Sequence, residues 1–247
     1  NGRLLREGLF ENIWIQPAAG DAGGALGAAL IGWHKYHNKP RIADEKSDSQ
    51  KGSYLGPKFD EDQIHSFIKS YNLTGKKYND DELIETVANL INSEKVIGWF
   101  DGKMEFGPRA LGSRTIIGDA RSPQMQATMN IKIKFREGFR PFAPSVLYEK
   151  VSDFFEIKKS SPYMLLTADV KKERRIPMTD EEHKKWGIEK LNVVRSNIPA
   201  ITHVDYSARL QTVHKETNSR YHKLISKFEE KTGCAVIINT SFNVRGE

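Results

Sequence analysis

The sequence predicts a mixed α/β protein, with helices packed against a mixed sheet. Short apolar segments typical of strands alternate with amphipathic segments typical of helices. Some neighbouring strand segments are separated by a turn and others by a helix, which favours a sheet with both antiparallel and parallel pairs. Hydrophobic residues make up 38% and charged residues 28% of the 247 residues, an ordinary globular balance.

The first part of the chain predicts a strand, a loop and a helix in that order. Residues 13–15 are strand-like, and residues 16–24 form a loop of small residues. Residues 25–36 have helical composition with an apolar face. This order can bring backbone N–H groups close to a phosphate. Residues 40–56 are polar and charged and are interpreted as a linker.

The later elements follow from periodicity, caps and turns. Acidic residues at 60–62 and 80–82 are favourable in the first turn of a helix. Ser122 and Pro123 suit a helix start, and Gly102 follows an aspartate in a hairpin turn. Helices are predicted at residues 60–71, 80–93, 122–135 and 216–232, and strands at 96–100, 113–117, 144–148, 163–169, 200–205, 210–213 and 234–239.

Composition argues against a membrane or secreted protein. No apolar run approaches the roughly 18 residues that span a bilayer. The first residues include Arg3, Arg6 and Glu7 and do not resemble a signal peptide. The single cysteine, Cys234, lies beside an apolar strand, which indicates a buried structural thiol. We expect a cytoplasmic protein with no membrane partner.

The net charge of +6 fits either a nucleic acid or a small anionic ligand. The sequence shows no stripe of lysines and arginines interleaved with aromatic residues. We therefore favour a small anion over a nucleic acid.

Two arginine-rich segments, residues 106–114 and 134–144, are the strongest functional signal. Their cations stand among Gly, Pro and Phe, which predicts that they are held at the edge of a core. Glu137 alone cannot neutralise these positive charges, so the expected ligand is a polyanion such as a nucleoside triphosphate or an acyl phosphate. The cations are Arg109, Arg114, Lys134, Arg136 and Arg140. The alternatives are a structural arginine pair bonded to carbonyls and, for Lys134, a solvated helix face.

Four further residues are candidates. Arg209 lies between two strand signals, and its alternative is a surface charge. Ser241 and Asn243 follow an apolar strand, where they can contact ribose or phosphate or simply bond within their own turn. Asp21 stands among small residues as either a helix cap or a metal ligand.

Four blocks of sequence together resemble the O-carbamoyltransferases of the NodU/CmcH/TobZ type. The blocks lie at residues 16–23, 107–114, 134–144 and 239–243, in the family's order and spacing. The resemblance covers only the later part of such a protein, and both ends of the chain look internal to a longer one.

The resemblance implies a division of the chain. Residues 1–39 correspond to the end of an actin-like carbamoyl-transfer domain, and residues 40–56 to a linker. Residues 57–247 correspond to a YrdC-like domain, which implies an open twisted mixed sheet with flanking helices and a central cavity. The preceding part of the actin-like domain is then a partner from the same protein.

The resemblance also implies an activity. The YrdC-like domain converts ATP and carbamoyl phosphate to carbamoyl-adenylate, and the actin-like domain transfers the carbamoyl group to a hydroxyl acceptor. Mg²⁺ accompanies ATP, and iron or another divalent metal binds the actin-like domain, with Asp21 matching one ligand. The implied catalytic residues are Arg109, Arg114, Arg140 and Arg209, and the implied nucleotide and carbamoyl phosphate ligands are Lys134, Arg136, Ser241 and Asn243.

Two other functions remain open from the sequence. The chain can be an RNA-binding YrdC-like module, or a structural fragment without activity. On the carbamoyltransferase hypothesis, this chain alone is expected to be incomplete for full transfer.

Overall fold

A six-stranded mixed sheet forms the centre of the protein. The computed structural model describes residues 1–42 and 48–244. The strands are β1 (Ile97–Phe100), β2 (Arg114–Asp119), β3 (Ala143–Leu147), β4 (Leu166–Asp169), β5 (Ser207–Val213) and β6 (Val236–Ser241). Their order across the sheet is β1-β2-β6-β3-β5-β4. The β3–β5 pair is parallel and the other neighbouring pairs are antiparallel, which confirms the predicted mixed α/β class.

The central strands are buried along most of their length. β3 is buried throughout, and β6 is buried from Val236 to Asn239. Strands covered on both faces have near-continuous apolar sequences, which explains why β6 was predictable. In the register of the sheet, Asn239 lies opposite Ile117 on one side and Ala143 on the other. The residues that follow Asn239 are thereby brought to the edge of the core.

The helices lie around this sheet. They are α1 (Gly2–Glu7), α2 (Asp21–Ile31), α3 (Glu61–Ser70), α4 (Asp80–Asn92), α5 (Met125–Thr128), α6 (Val151–Phe154), α7 (Asp180–Lys184), α8 (Gly187–Leu191) and α9 (Ser219–Thr232). α2 and α5 each continue into a π-helical turn, at Gly32–Tyr36 and Met129–Ile133. No helix among residues 1–42 and 48–244 is long and apolar enough to cross a bilayer.

α4 and α9 pack against each other and over the middle of the sheet. Each buries one apolar face, as its periodicity predicts. Asn79 and Glu82 form a capping box at the start of α4, and Asn218 caps α9. Gly233 ends α9 with a φ of 71°, a left-handed conformation that glycine adopts easily. The predicted helices at 80–93 and 216–232 are confirmed.

Two predicted strands are wrong. Residues 13–15 form no ladder with any described residue; Trp14 is exposed and its two neighbours are only partly buried. At residues 200–205 the chain instead forms a 3-10 turn, Pro199–Ile201, because proline sets φ for a turn and donates no ladder hydrogen bond. The strand predicted at 163–169 begins only at Leu166, after Met164 adopts a φ of 56°.

The region predicted as a linker is partly packed. Gly52 and Ser53 are buried, and Tyr54 forms a β-bridge with Glu105. Residues 43–47 lie outside the described part of the chain. The division into residues 1–39, 40–56 and 57–247 stays a prediction.

Candidate functional site

A cavity of about 160 Å³ opens beside the carboxyl end of β6. Segments distant in sequence surround it, among them the loop before β2, the start of β3, β5 and the end of β6. Among the residues that the structure describes, its lining includes three arginines and no carboxylate. The lining residues are Pro108, Arg109, Ala110, Arg136, Pro141, Phe142, Ala143, Met164, Arg209, Asn239, Thr240 and Ser241.

Arg109 is carried by the loop of residues 106–113, hereafter the arginine loop. Gly107 and Gly112 bend this loop with φ angles of 110° and 107°, which side-chain-bearing residues rarely adopt. A Cβ atom on Gly107 would lie 2.5 Å from the Cβ atom of Ala18. Glycine at position 107 therefore lets the arginine loop pack directly against the segment before α2.

Arg209 reaches the cavity from β5. Burial lowers the pKa of its guanidinium, and repulsion from Arg109 lowers that pKa further. Neither Arg109 nor Arg209 makes a side-chain hydrogen bond or an ion pair with any residue in the described ranges. These two cations thus share one cavity without an anion from the described part of the chain, an arrangement that an anionic ligand stabilises.

Arg136 is the third arginine of the lining. Its Nε atom donates a hydrogen bond of 2.7 Å to Asn130 Oδ1, and its guanidinium lies 5.1 Å from the ring centroid of Phe142. Burial lowers the pKa of Arg136, the charge of Arg140 lowers it further, and Glu137 opposes both. Asn130 is fully buried and also donates to the Arg140 carbonyl at 2.9 Å, so it fixes this segment.

Arg140 lies near the cavity but does not line it. Its side chain is exposed, and its Nε atom is 3.0 Å from Glu137 Oε2. Its charge contributes to the field around Arg136. Contact between Arg140 and a ligand stays a prediction.

Lys134 is only 3% exposed, which excludes the solvated helix face as its environment. Its Nζ atom donates to Ser241 O at 2.5 Å, Asn243 O at 2.6 Å and Asn243 Oδ1 at 2.7 Å. The structure therefore brings Lys134, Ser241 and Asn243 together. Ser241 Oγ donates to Asn243 Oδ1 at 2.6 Å within their own turn, which is the alternative that the sequence left open. Their role as ligands of a nucleotide or carbamoyl phosphate stays a prediction. Of these three, Ser241 lines the cavity, while Lys134 holds the chain that leaves β6.

Arg114 lies outside the lining. Its guanidinium donates to the carbonyls of Asp101 at 3.0 Å, Ser113 at 3.1 Å, Pro57 at 3.2 Å and Gly102 at 3.2 Å. It also stacks 3.6 Å from the centroid of Phe100. This is the structural alternative that the sequence left open, and Arg114 is not brought together with the cavity arginines.

Asp21 is the first residue of α2 and is exposed. α2 buries none of its residues. Within residues 1–42 and 48–244, no group of three or more His, Cys, Asp or Glu side chains is arranged to hold a metal ion. The proposed role of Asp21 as a metal ligand stays a prediction.

Glu105 was missed by sequence reasoning, although it lies directly before the arginine loop. It is 6% exposed, and its Oε1 atom accepts hydrogen bonds from Leu111 N at 2.7 Å and Ser113 N at 2.8 Å. The N–H of Arg114 contacts both carboxylate oxygens, at 3.2 and 3.1 Å. The apolar residues on either side of it, Met104 and Phe106, are the sequence feature from which the burial of Glu105 could have been predicted.

A buried polar network beneath the cavity was also missed. Asn239 Nδ2 donates to Gln211 Oε1 at 2.8 Å, Ser145 Oγ at 3.1 Å and the Ala110 carbonyl at 2.9 Å. Its Oδ1 atom accepts a hydrogen bond from Thr115. Isolated polar residues inside apolar strands could have revealed the network. It fixes the floor of the cavity through buried polar contacts that are all paired.

Comparison with known proteins gives the family. The family model described as "Carbamoyltransferase C-terminus" matches residues 88–247, and that described as "Carbamoyltransferase N-terminus" matches residues 1–30. The chain belongs to the carbamoyltransferase family, which confirms the resemblance seen in the sequence.

Several relatives match the whole chain or nearly so. An uncharacterized protein of Synechocystis sp. is 59% identical over 249 residues, covering 100% of this chain and 40% of the relative. Nodulation protein NolO of Bradyrhizobium diazoefficiens is 36% identical, covering 100% of the chain and 41% of the relative. Nodulation protein NolNO of Sinorhizobium fredii is 37% identical, covering 98% and 33% respectively. The chain thus spans well under half the length of these relatives.

Proposed function

We propose that the cavity binds ATP and carbamoyl phosphate and forms carbamoyl-adenylate for O-carbamoylation of a hydroxyl acceptor. The proposal rests on the convergence of Arg109, Arg136 and Arg209 on one cavity, whose lining holds no carboxylate from residues 1–42 or 48–244. Membership of the carbamoyltransferase family supports the choice of carbamoyl phosphate among possible anions.

The proposed reaction has two bond exchanges. Water first splits carbamoyl phosphate into carbamate and inorganic phosphate. A carbamate oxygen then attacks the α-phosphorus of ATP, and the bond from that phosphorus to the bridging oxygen breaks. Pyrophosphate leaves with the electron pair, and carbamoyl-adenylate remains.

The arginines suit this reaction because both substrates are polyanions that repel each other in water. Fixed guanidinium groups offset this repulsion and align the reacting oxygen with the α-phosphorus. Each guanidinium stays charged and can bind two oxygens in one plane. No covalent intermediate on the protein is needed, so the cavity requires no nucleophile.

Two metal ions belong to the proposed function, Mg²⁺ bound to ATP and a divalent metal at Asp21. Mg²⁺ would arrive as part of the ATP complex, since the side-chain oxygens of the lining belong to Asn239, Thr240 and Ser241 and none is a carboxylate. An iron or other divalent metal would need ligands beyond Asp21, because the described residues hold no suitable group around it. No step is assigned to that metal.

Transfer to the hydroxyl acceptor is proposed for the longer protein. The Ala18 contact at Gly107 lies where the two family-matched parts of the chain meet. The nucleotide half of the reaction can be tested on this chain alone.

Exchange of labelled pyrophosphate into ATP, dependent on carbamoyl phosphate, tests the proposal. We expect the chain to catalyse this exchange and Arg209→Ala to slow it by about 100-fold, the scale for losing one placed donor. Arg220→Ala is the matched control. Arg220 lies on α9, outside the cavity lining, with ion pairs of 2.8 Å to Asp80 and 2.6 Å to Asp101.

The control variant is expected to keep its exchange rate even if its melting temperature falls. If Arg209→Ala and Arg220→Ala lose exchange rate equally, the loss reflects general instability and not a role of Arg209 in the cavity. A chain that neither exchanges pyrophosphate nor binds ATP in calorimetry would contradict the proposed function.

A further inference from the structure

The arginine loop is held in place by side chains. Its backbone N–H groups at Leu111 and Ser113, together with the N–H of Arg114, donate to the Glu105 carboxylate. Its carbonyls accept from side chains of four other segments. These bonds run from Asn239 to the Ala110 carbonyl, from Tyr54 and Gln211 to the Leu111 carbonyl, and from Asn218 to the Gly112 carbonyl.

Glu105 differs from the other members of this group because it carries a charge. It is 6% exposed and makes no ion pair with any residue of the described ranges. Its negative charge is therefore satisfied by backbone amides of the loop. Moving the loop would leave a buried carboxylate without donors, which costs far more than the loss of one neutral hydrogen bond.

We propose that Glu105 is a positioning residue that fixes the arginine loop so that Arg109 is held ready to bind substrate phosphate. This inference rests on the proposed function of the cavity. The carboxylate touches no cavity surface itself and acts through the loop backbone. A loop fixed before binding loses little conformational freedom when the anion arrives, so the ligand binds more tightly.

The first test needs no ligand and measures amide hydrogen exchange in the full chain. In Glu105→Gln the oxygen that accepts from Leu111 and Ser113 loses its negative charge, and the new NH₂ group takes the Oε2 position against the N–H of Arg114. We expect the amides of Leu111 and Ser113 to exchange at least about tenfold faster than in the wild type, the scale of one hydrogen bond to a charged group. Unchanged exchange at these two amides would overturn the inference, whatever the cavity binds.

Asp119→Asn is the matched control. Asp119 is also a buried carboxylate, 2% exposed, but it pairs with Arg121 at 2.6 Å and lies outside the cavity lining. We expect this variant to lose stability while the exchange of Leu111 and Ser113 stays as in the wild type. Faster exchange of these amides in both variants would overturn the inference, since global loosening would then explain the effect.

The second test is a double-mutant cycle with inorganic pyrophosphate as the probe, read as Kd by calorimetry. If Glu105 acts through Arg109, Glu105→Gln weakens binding about tenfold in the wild type, and has little effect in an Arg109→Ala background. In an Arg209→Ala background the tenfold loss should persist, because Arg209 is carried by β5. If Glu105→Gln weakens pyrophosphate binding equally in the Arg109→Ala and Arg209→Ala backgrounds, the inference is overturned, while the proposed function still stands.

Two other outcomes are informative. If the wild type binds neither pyrophosphate nor ATP, both the proposed function and this inference fail. If Glu105→Gln does not fold, Glu105→Asp replaces it: the charge is kept, but the shorter side chain cannot reach all three amides. We expect that variant to show the same exchange pattern at Leu111 and Ser113, and normal protection there would reject the positioning role.

Discussion

At the scale of single residues, four of the candidate cations fall into two groups. Arg114 and Lys134 are surrounded by oxygen acceptors and hold loops in place. Arg109 and Arg209 face the cavity without an acceptor among the described residues. The sequence predicted that cations would converge, because arginine beside Gly, Pro and Phe is typical of a held cation. It could not predict which group each would join, since that depends on which carbonyls the fold brings within reach.

This difference predicts stability changes of opposite sign. Arg209→Met removes a partly buried cation that is repelled by Arg109. We therefore expect the free energy of unfolding without ligand to rise by roughly 0.5–2 kcal/mol, the range seen for stabilising substitutions. The same variant should lose the stabilisation that pyrophosphate gives the wild type. Denaturant unfolding with and without pyrophosphate measures both effects.

Arg114→Met is the comparison for Arg209→Met. Its removal takes one donor from each of four carbonyls, of which those of Ser113 and Pro57 also accept a backbone N–H. We therefore expect a fall in the free energy of unfolding by about 1–3 kcal/mol. A destabilised Arg209→Met, or one that still responds to pyrophosphate like the wild type, would contradict the assignment of Arg209 to the cavity.

At the scale of elements, strongly periodic segments were predictable and short ones were not. α4, α9 and β6 combine apolar periodicity with clear caps or turns. The segment at 13–15 has strand composition but no partner strand, and composition alone cannot supply one. The helix predicted at 122–135 is replaced by α5 and the π-helical turn Met129–Ile133, a local change of hydrogen bonding that periodicity does not reveal.

The arginine loop is expected to be the element most sensitive to a small substitution. At Gly112 the φ angle is 107°, and a Cβ atom would lie 2.4 Å from the ring of Tyr221, which is fully buried. Gly112→Ala should therefore lower the free energy of unfolding by at least about 2 kcal/mol and weaken pyrophosphate binding, because both backbone strain and a clash arise. Denaturant unfolding and calorimetry measure the two effects.

Gly187→Ala separates these two causes. Gly187 also has a positive φ, 58°, but a Cβ atom there meets nothing within 4 Å. Gly187→Ala should lower the free energy of unfolding only by the conformational strain, about 1 kcal/mol, and should leave pyrophosphate binding intact. Equal costs at the two glycines would show that contact with Tyr221 does not determine the shape of the arginine loop.

At the scale of the whole molecule, the sheet order creates the site. β6 lies between β2 and β3, and β5 lies beyond β3, so Asn239, Gln211 and Ala110 meet although they are far apart in sequence. Strand order is set by packing of the complete chain, and the sequence alone offered no measure of it. For this reason the candidate cations were predictable, while Glu105 and the buried network that position the arginine loop were not.

The central claim is that three arginines form one binding cavity for polyanionic substrates. The most direct measurement is a crystal structure of this chain grown with ATP and carbamoyl phosphate. We expect phosphate density within hydrogen-bonding distance of Arg109, Arg136 and Arg209, with the arginine loop in its present position. Triphosphate bound elsewhere, with these guanidinium groups turned outward or paired with carboxylates, would contradict the claim.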